Sequence, residues 1–375
     1  MPSFFLTPAA KGKRIVLWTL VCFAVSQLAL SIYLEKRRPE VRDPLYGLRL
    51  SSLRAKWAES PSSPLFLILG SSRVKYSVWP TAMKIHGREG GPPPVVYNFG
   101  VNGLGPIREL MYLRRLLADG VRPDWLLVEV WPPLWPEAGF FRESRMVVGE
   151  DDLRWRDVPF VCRYYRKEWA VLHYGLRKWL LPISDYRGRL LEANANELLP
   201  RAQADETAQH VRDWLPEDGT GWFPLPWGAA TAEGRQRAIE HGAEEMKPLV
   251  DPLKIDPRSD SSLRELLAEC RRHNIKAALI LMPEHSRTRG WYPPQALALM
   301  QQYLARLKQD YPVPIVDTRR WAPDKDFADY CHMDTGGVPA FSERLGREVV
   351  QPLIEDKPLS ASVLFNAECR MQNAE

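Results

Sequence analysis

Residues 65–73 read LFLILGSSR. Five apolar residues run unbroken from Leu65 to Leu69 and stop at the turn signal Gly70-Ser71-Ser72. A short continuous run of this kind, rather than an alternating one, suits a strand buried on both faces, and such strands belong to parallel sheets. Working outward, VVYNFG (95–100) reads as a second strand entered from GGPPP, and DWLLVEVW (124–131) as a third, stopped by Pro132 and Pro133. A helix is expected between them over 107–118. Farther on, the amphipathic LRELLAECRRHN (263–274) leads into a fourth strand, KAALILM (276–282). ALALMQQYLARLKQDY is another helix, a short strand follows at 314–317, and PAFSERLGREVVQPLI (339–354) closes with a helix. Strands alternating with helices predict a three-layer α/β/α domain over 65–355, with a mostly parallel sheet and ligands at the carboxyl ends of its strands.

The rest of the chain is arranged around that domain. Residues 15–34, IVLWTLVCFAVSQLALSIYL, carry no charge and are flanked by Lys11, Lys13 and Arg14 before and by Glu35, Lys36, Arg37 and Arg38 after. Twenty helical residues span a hydrocarbon core of about 30 Å. The run is too long for a cleavable leader and lacks a small-residue cleavage site, so an uncleaved signal anchor is expected. Basic residues on both sides leave the orientation to length: a short tail (1–14) inside, the domain outside the cytoplasm. A polar connector is expected at 35–64. Residues 137–258 break the α/β rhythm, with a helix expected at 164–181 and the Trp-rich DWLPEDGTGWFPLPWG; they read as an inserted cap over the strand ends, or as a lid without a specific role. The aperiodic tail, 356–375, is expected to be mobile.

Composition excludes several classes. With 45% hydrophobic and 26% charged residues the chain is neither disordered nor polytopic, and a net charge of +5 spread over 375 residues is too mild for nucleic acid. Five cysteines without a CxxC, and seven histidines without an HExxH pair, disfavour a zinc site and give no disulfide framework. No cofactor is called for. The 33 prolines and 14 tryptophans suit either ordered loops facing a polar ligand such as a sugar, or a loop-rich core.

Four features carry chemistry, in order: Gly70-Ser71-Ser72, Asn98-Phe99-Gly100-Val101-Asn102-Gly103, the buried strand reaching Glu129, and Asp329-Tyr330-Cys331-His332. A serine on a sharp strand-to-helix turn presents its hydroxyl and its own N–H above the sheet. A histidine can take its proton, and an aspartate on the other ring nitrogen fixes the tautomer. A glycine loop brings a bare N–H close to an oxyanion. Each signal alone is also what an ordinary turn or cap pair would give. Arg287 and Arg289, after the fourth strand, read as a grip for an anion or as a solvated basic loop.

Taken together, these segments resemble the SGNH (GDSL-like) hydrolase superfamily. LFLILGSSR resembles its first block, with Ser72 at the nucleophile position and Ser71 where an aspartate is usual. VVYNFGVNG resembles the second, placing Gly103 at the oxyanion glycine, and DYCHMDTGG the fifth, placing Asp329 and His332 in a triad. One departure stands out: in VEVWPPL, Pro133 falls at or beside the family's third-block asparagine, an oxyanion donor, and proline has no N–H. Asn102 or Arg73 is the expected replacement, with Arg73, Arg287, Arg289 and Trp131 as candidate substrate contacts. The N-terminal anchor adds a similarity to envelope acyltransfer proteins, of the alginate O-acetyltransferase and teichoic acid D-alanyl transfer types. The resemblance implies a membrane-anchored serine esterase or O-acyltransferase moving a small acyl group on an envelope polysaccharide, with a membrane acyl-donor protein as a possible partner. The alternative is a catalytically inactive domain of the same fold that binds a glycan or assists a membrane acyltransferase.

Overall fold

The computed structural model describes residues 8–136, 153–165, 168–194, 218–226 and 231–365. The chain forms two compact units, one of residues 1–47 with 150–213 and one of 48–149 with 214–375. The expected insertion is therefore divided between them, and its stretches 137–152, 166–167, 195–217 and 227–230 lie outside the described residues.

In the first unit, helix α1 (Pro8–Arg37) contains a 26-residue stretch, Gly12–Arg37, of mean hydropathy 2.2, long and apolar enough to cross a membrane. The same unit holds α2 (Pro39–Arg42), the start of α3 (Pro44–Ala58), and α6 (Val158–Tyr164), α7 (Glu168–Leu180) and α8 (Pro182–Asn194). The helix expected over 164–181 is carried by α7 over 168–180, while Tyr164 ends α6 and residues 166–167 lie outside the described ones.

The connector expected at 35–64 is mostly helical instead. Helix α3 buries Leu50 and Leu53, and Arg49 is buried with its guanidinium donating to the carbonyls of Asn98 (3.1 Å) and Gly221 (3.3 Å). Charge density marks a solvated linker only while the charges are solvated, and here one arginine is spent on backbone acceptors inside the fold.

The second unit is built on five parallel strands, β1 (Leu65–Gly70), β2 (Val95–Gly100), β3 (Trp125–Glu129), β4 (Lys276–Leu281) and β5 (Ile315–Asp317), in the order β2-β1-β3-β4-β5. Between them run α4 (Ser72–Ser77), α5 (Pro106–Ala118), α9 (Ala232–Val250), α10 (Pro257–Arg272), α11 (Ser286–Arg289) and α12 (Pro294–Asp310), and α13 (Val338–Leu345) opens the closing helix. Phe66, Ile68, Leu127, Ala278, Ile280 and Val316 share a core with Phe341, Leu345, Val349, Val350 and Ile354 of that closing helix. Their neighbours Leu67, Leu69, Leu126, Val128 and Leu279 are as deeply buried and, by the two-residue period of a strand, point the other way. The chain leaves β1 in one direction, to β2, and every later crossover moves in the opposite direction. Right-handed connections then place helices on both faces, and the reversal falls at the carboxyl ends of β1 and β3.

Both sheet edges are covered. The N–H of Asn98 in β2 donates to Thr220 (2.8 Å). At β5, Asp317 donates to Val363 (2.9 Å) and Phe365 to Ile315 (2.7 Å). The first part of the tail, expected to be mobile, is thus held in place over residues 363–365, because an uncovered edge leaves backbone groups without partners. Residues 366–375 lie outside the described ones.

Candidate active site

Everything at the site starts from how β1 ends. Gly70 faces the Glu129 side chain so closely that an added Cβ would lie 2.7 Å from the Glu129 Cβ and 2.5 Å from Val74, so no larger residue fits. The chain then turns directly into α4. Ser71 is its N-cap, with the hydroxyl accepting the Arg73 N–H at 3.2 Å. Serine and aspartate are both good N-caps, which accounts for a serine where the resembling family has an aspartate. Ser72 is the first residue of α4, so its N–H has no carbonyl one turn earlier in the helix to bond.

The turn at 329–332 lies beside it. Asp329 Oδ1 accepts the N–H groups of Cys331 (2.8 Å) and His332 (2.7 Å), which locks the turn and aims Oδ2 at the ring. His332 Nδ1 is 2.7 Å from that Oδ2, and Nε2 is 2.7 Å from Ser72 Oγ. With Nδ1–H donating to the carboxylate, Nε2 is left to accept the serine hydroxyl, a tautomer assigned from the bonding pattern. Tyr76 meets the imidazole edge-on at 5.7 Å. Burial pushes the Asp329 carboxyl up, but the charge of His332 and three hydrogen bonds outweigh it and leave the group below the usual carboxylate range. A carboxyl depressed on folding contributes stability above its unfolded pKa, and that contribution disappears as pH falls through the folded value. The stability advantage of the wild type over Asp329→Asn should accordingly be present at neutral pH and shrink below about pH 4, read as urea midpoints in detergent.

The second block reaches the same edge. Gly70 and Gly100 are paired across β1 and β2, and Val101 extends the pairing with an N–H to the Gly70 carbonyl at 2.8 Å. Two residues later Gly103 has φ +63°, a left-handed conformation that costs other residues about 1–2 kcal/mol. Asn102 is fixed by Arg108, which donates to its carbonyl at 3.1 Å, and its side-chain Oδ1 is buried without a hydrogen bond. Gly103→Ala should destabilise the protein by about 1 kcal/mol and, for an acyl-transfer reaction at this site, lower turnover more than tenfold, because the loop must shift its N–H groups to relieve the strain. Unchanged turnover would remove Gly103 from the site.

Arg73 is not a substrate contact or an oxyanion donor. It is 1% exposed and donates to the carbonyls of Met282 and Pro283, both at 2.9 Å, past the end of β4. It also pairs with Glu129 at 3.2 Å and lies 5.0 Å over the Trp131 ring. Glu129 in turn accepts the Ser71 N–H at 2.7 Å, and Glu284 accepts the Tyr292 hydroxyl at 3.0 Å with Arg73 at 3.9 Å. This buried clamp ties the Ser71-Ser72 turn across β3 to β4. Glu129 is legible in the sequence as a carboxylate ending an apolar strand, whereas nothing there marks Glu284 or Tyr292. Trp131 is likewise buried, its indole N–H without a hydrogen bond. Arg289 is bound to the carbonyls of Glu284 and Arg319, so of the candidate arginines Arg287 alone is exposed. Trp125, Trp135 and Trp222 are core residues too, which for them settles the tryptophan excess in favour of packing.

Those described residues of the insertion that belong to the second unit, 218–226 and 231–258, border this edge. Met246 and Leu249 of α9 pack with Trp131, Leu134 and Cys331, and Gly242 lies against the Tyr330 ring. Phe223 and Leu225 pack with Tyr76 and Ala328. Compared with models of protein families the chain matches none, and no curated protein matches it. Asp329, Cys331 and His332 also present ligand atoms within 4.8 Å of one another, the one such group among the described residues. Both ring nitrogens of His332 already hold Asp329 and Ser72, and burial pushes the Cys331 thiol well up, so a cation would have to displace the relay and deprotonate a buried thiol.

Proposed function

We propose that this protein is a serine hydrolase or O-acyltransferase of the SGNH type, held at a membrane by α1 with its catalytic domain outside the cytoplasm. The observation that carries this reading is the continuous relay from Ser72 through His332 to Asp329, with both contacts at 2.7 Å, at the crevice where the sheet reverses direction. Ser72 attacks an acyl carbonyl as His332 takes the hydroxyl proton, and Asp329 steadies the imidazolium. The N–H groups of Ser72 and Gly103, with Asn102, meet the oxyanion. His332 returns the proton to the leaving oxygen, and an incoming hydroxyl repeats the steps in reverse to release the acyl group. An envelope polysaccharide is the proposed acceptor, with a membrane acyl-donor protein as partner.

One observation favours a second reading. Pro133 sits in a buried turn (Pro132–Leu134) and offers no N–H where the resembling family has an asparagine, so the domain could bind a glycan or assist a membrane acyltransferase without catalysing transfer itself. A fluorophosphonate probe separates the two. Labelling at Ser72, located by peptide mass, supports the enzyme; absence of label on folded protein supports the accessory role.

A further inference from the structure

In the first unit, α7 and α8 form a hairpin whose tip reads WLLPIS over residues 179–184. Leu180, Leu181 and Ile183 at this tip are 50%, 41% and 44% exposed. Three large aliphatic side chains together at one loop are not what a water-facing turn carries. The hairpin packs against the apolar stretch of α1. Gln27, Ser31 and Leu34 of α1 are buried, whereas Leu28 and Ile32 between them, and Val25 before them, are exposed. Spacings of four and three place the buried set on one helix face. Leu34 packs with Tyr186, and Gln27 Oε1 accepts the backbone N–H of Ile183 at 3.3 Å.

That last bond is informative in both directions. Ile183 is in the first turn of α8, where an N–H has no partner within its own helix, and Gln27 is a polar side chain in a stretch otherwise fit for hydrocarbon. Each satisfies the other, as backbone and side chains must where water is absent. Gln27 is seven residues before Leu34, about 10 Å along the helix axis. We propose that the α7–α8 tip enters the same bilayer leaflet from which the carboxyl end of α1 emerges, with Leu180, Leu181 and Ile183 among phospholipid acyl chains. The proposal rests on α1 spanning a membrane. The charges near the tip agree with it: Arg177 pairs with Asp185 at 2.8 Å, which neutralises the acid, and Arg187 is exposed on a stem long enough to reach headgroups. The Trp155–Trp179 stack, with Trp155 exposed, supplies the amphipathic rings that favour the interface.

The test uses the full chain with Cys22, Cys162 and Cys369 changed to serine, one new cysteine carrying an NBD dye, and vesicles of phosphatidylcholine with phosphatidylglycerol. On Leu181→Cys, the expected result is emission shifted to the blue of the dye on free cysteine in water, lost to doxyl groups on lipid tails and unaffected by iodide. Leu180→Cys should behave alike and serves if the first variant misfolds. Quenching by iodide at both positions overturns the proposal. So does protection from iodide without loss to doxyl lipid, which would mean that protein covers the tip. A third label, Leu20→Cys, keeps the two readings apart. If it is lipid-quenched while the tip is not, the hairpin proposal fails alone; if it is quenched by iodide, α1 does not span.

Discussion

Under the proposed mechanism, Ser72→Ala and His332→Ala are each expected to lower turnover of p-nitrophenyl acetate by between about 10⁴ and 10⁶, with the double variant no worse than either alone. The triad acts as a unit: without its base the hydroxyl is a poor nucleophile, and without the hydroxyl the base has no proton to take. Asp329→Asn is expected to cost about 10⁴, since an amide cannot hold the Nδ1–H tautomer. Ser72→Ala and His332→Ala should little disturb the fold, because the clamp that shapes the turn runs through Arg73 and Glu129 rather than through the relay; Asp329→Asn gives up the stability its depressed carboxyl contributes at neutral pH. Initial rates with matched thermal melts give the measurement. Full activity in Ser72→Ala would end the assignment.

Arg73→Ala should unfold the protein far more readily than any change in the triad. It strips the positive partner from Glu129 and Glu284, whose side chains are, like that of Arg73, only 1% exposed. Breaking a buried ion pair on one side costs about 3–5 kcal/mol, because a charge is left in the interior without compensation. Arg73→Lys should recover little, as an ammonium cannot reach two carbonyls and a carboxylate with the geometry of a guanidinium. Arg73→Met with Glu129→Gln should be milder than Arg73→Ala, since it removes one charge of each sign. Urea midpoints in detergent decide this, and a loss under about 1 kcal/mol in Arg73→Ala would show that the clamp does not hold the turn.

The contrast between these two sets of residues marks what was legible in the sequence. The strands were, because a strand buried on both faces must be apolar throughout, and Leu65–Leu69 and residues 277–282 are. Ser72, Asp329 and His332 were legible as residue types at a strand end and a turn, and the structure brings their polar atoms together. Arg73 was misleading. An arginine beside a candidate nucleophile looks like a ligand grip, and only burial against Glu129, Met282 and Pro283 identifies it as internal. The connector expected at 35–64 fails for the same reason, since Arg49 within it is buried on the carbonyls of Asn98 and Gly221. Long-range pairing decides whether a charge is solvated, and no local window of sequence contains both partners.

Ser72 and His332 are 260 residues apart in the chain. The first three strands, β1, β2 and β3, are complete by residue 129, yet the proposed base comes only with the turn before the last helix. At about 5–20 residues per second, some ten to fifty seconds of synthesis separate the two side chains. During that interval the serine has no histidine beside it, so a chain stalled or clipped before Asp329 lacks the proposed relay however well its sheet has formed. Topology alone thus delays the proposed reactivity until residue 332 has been made.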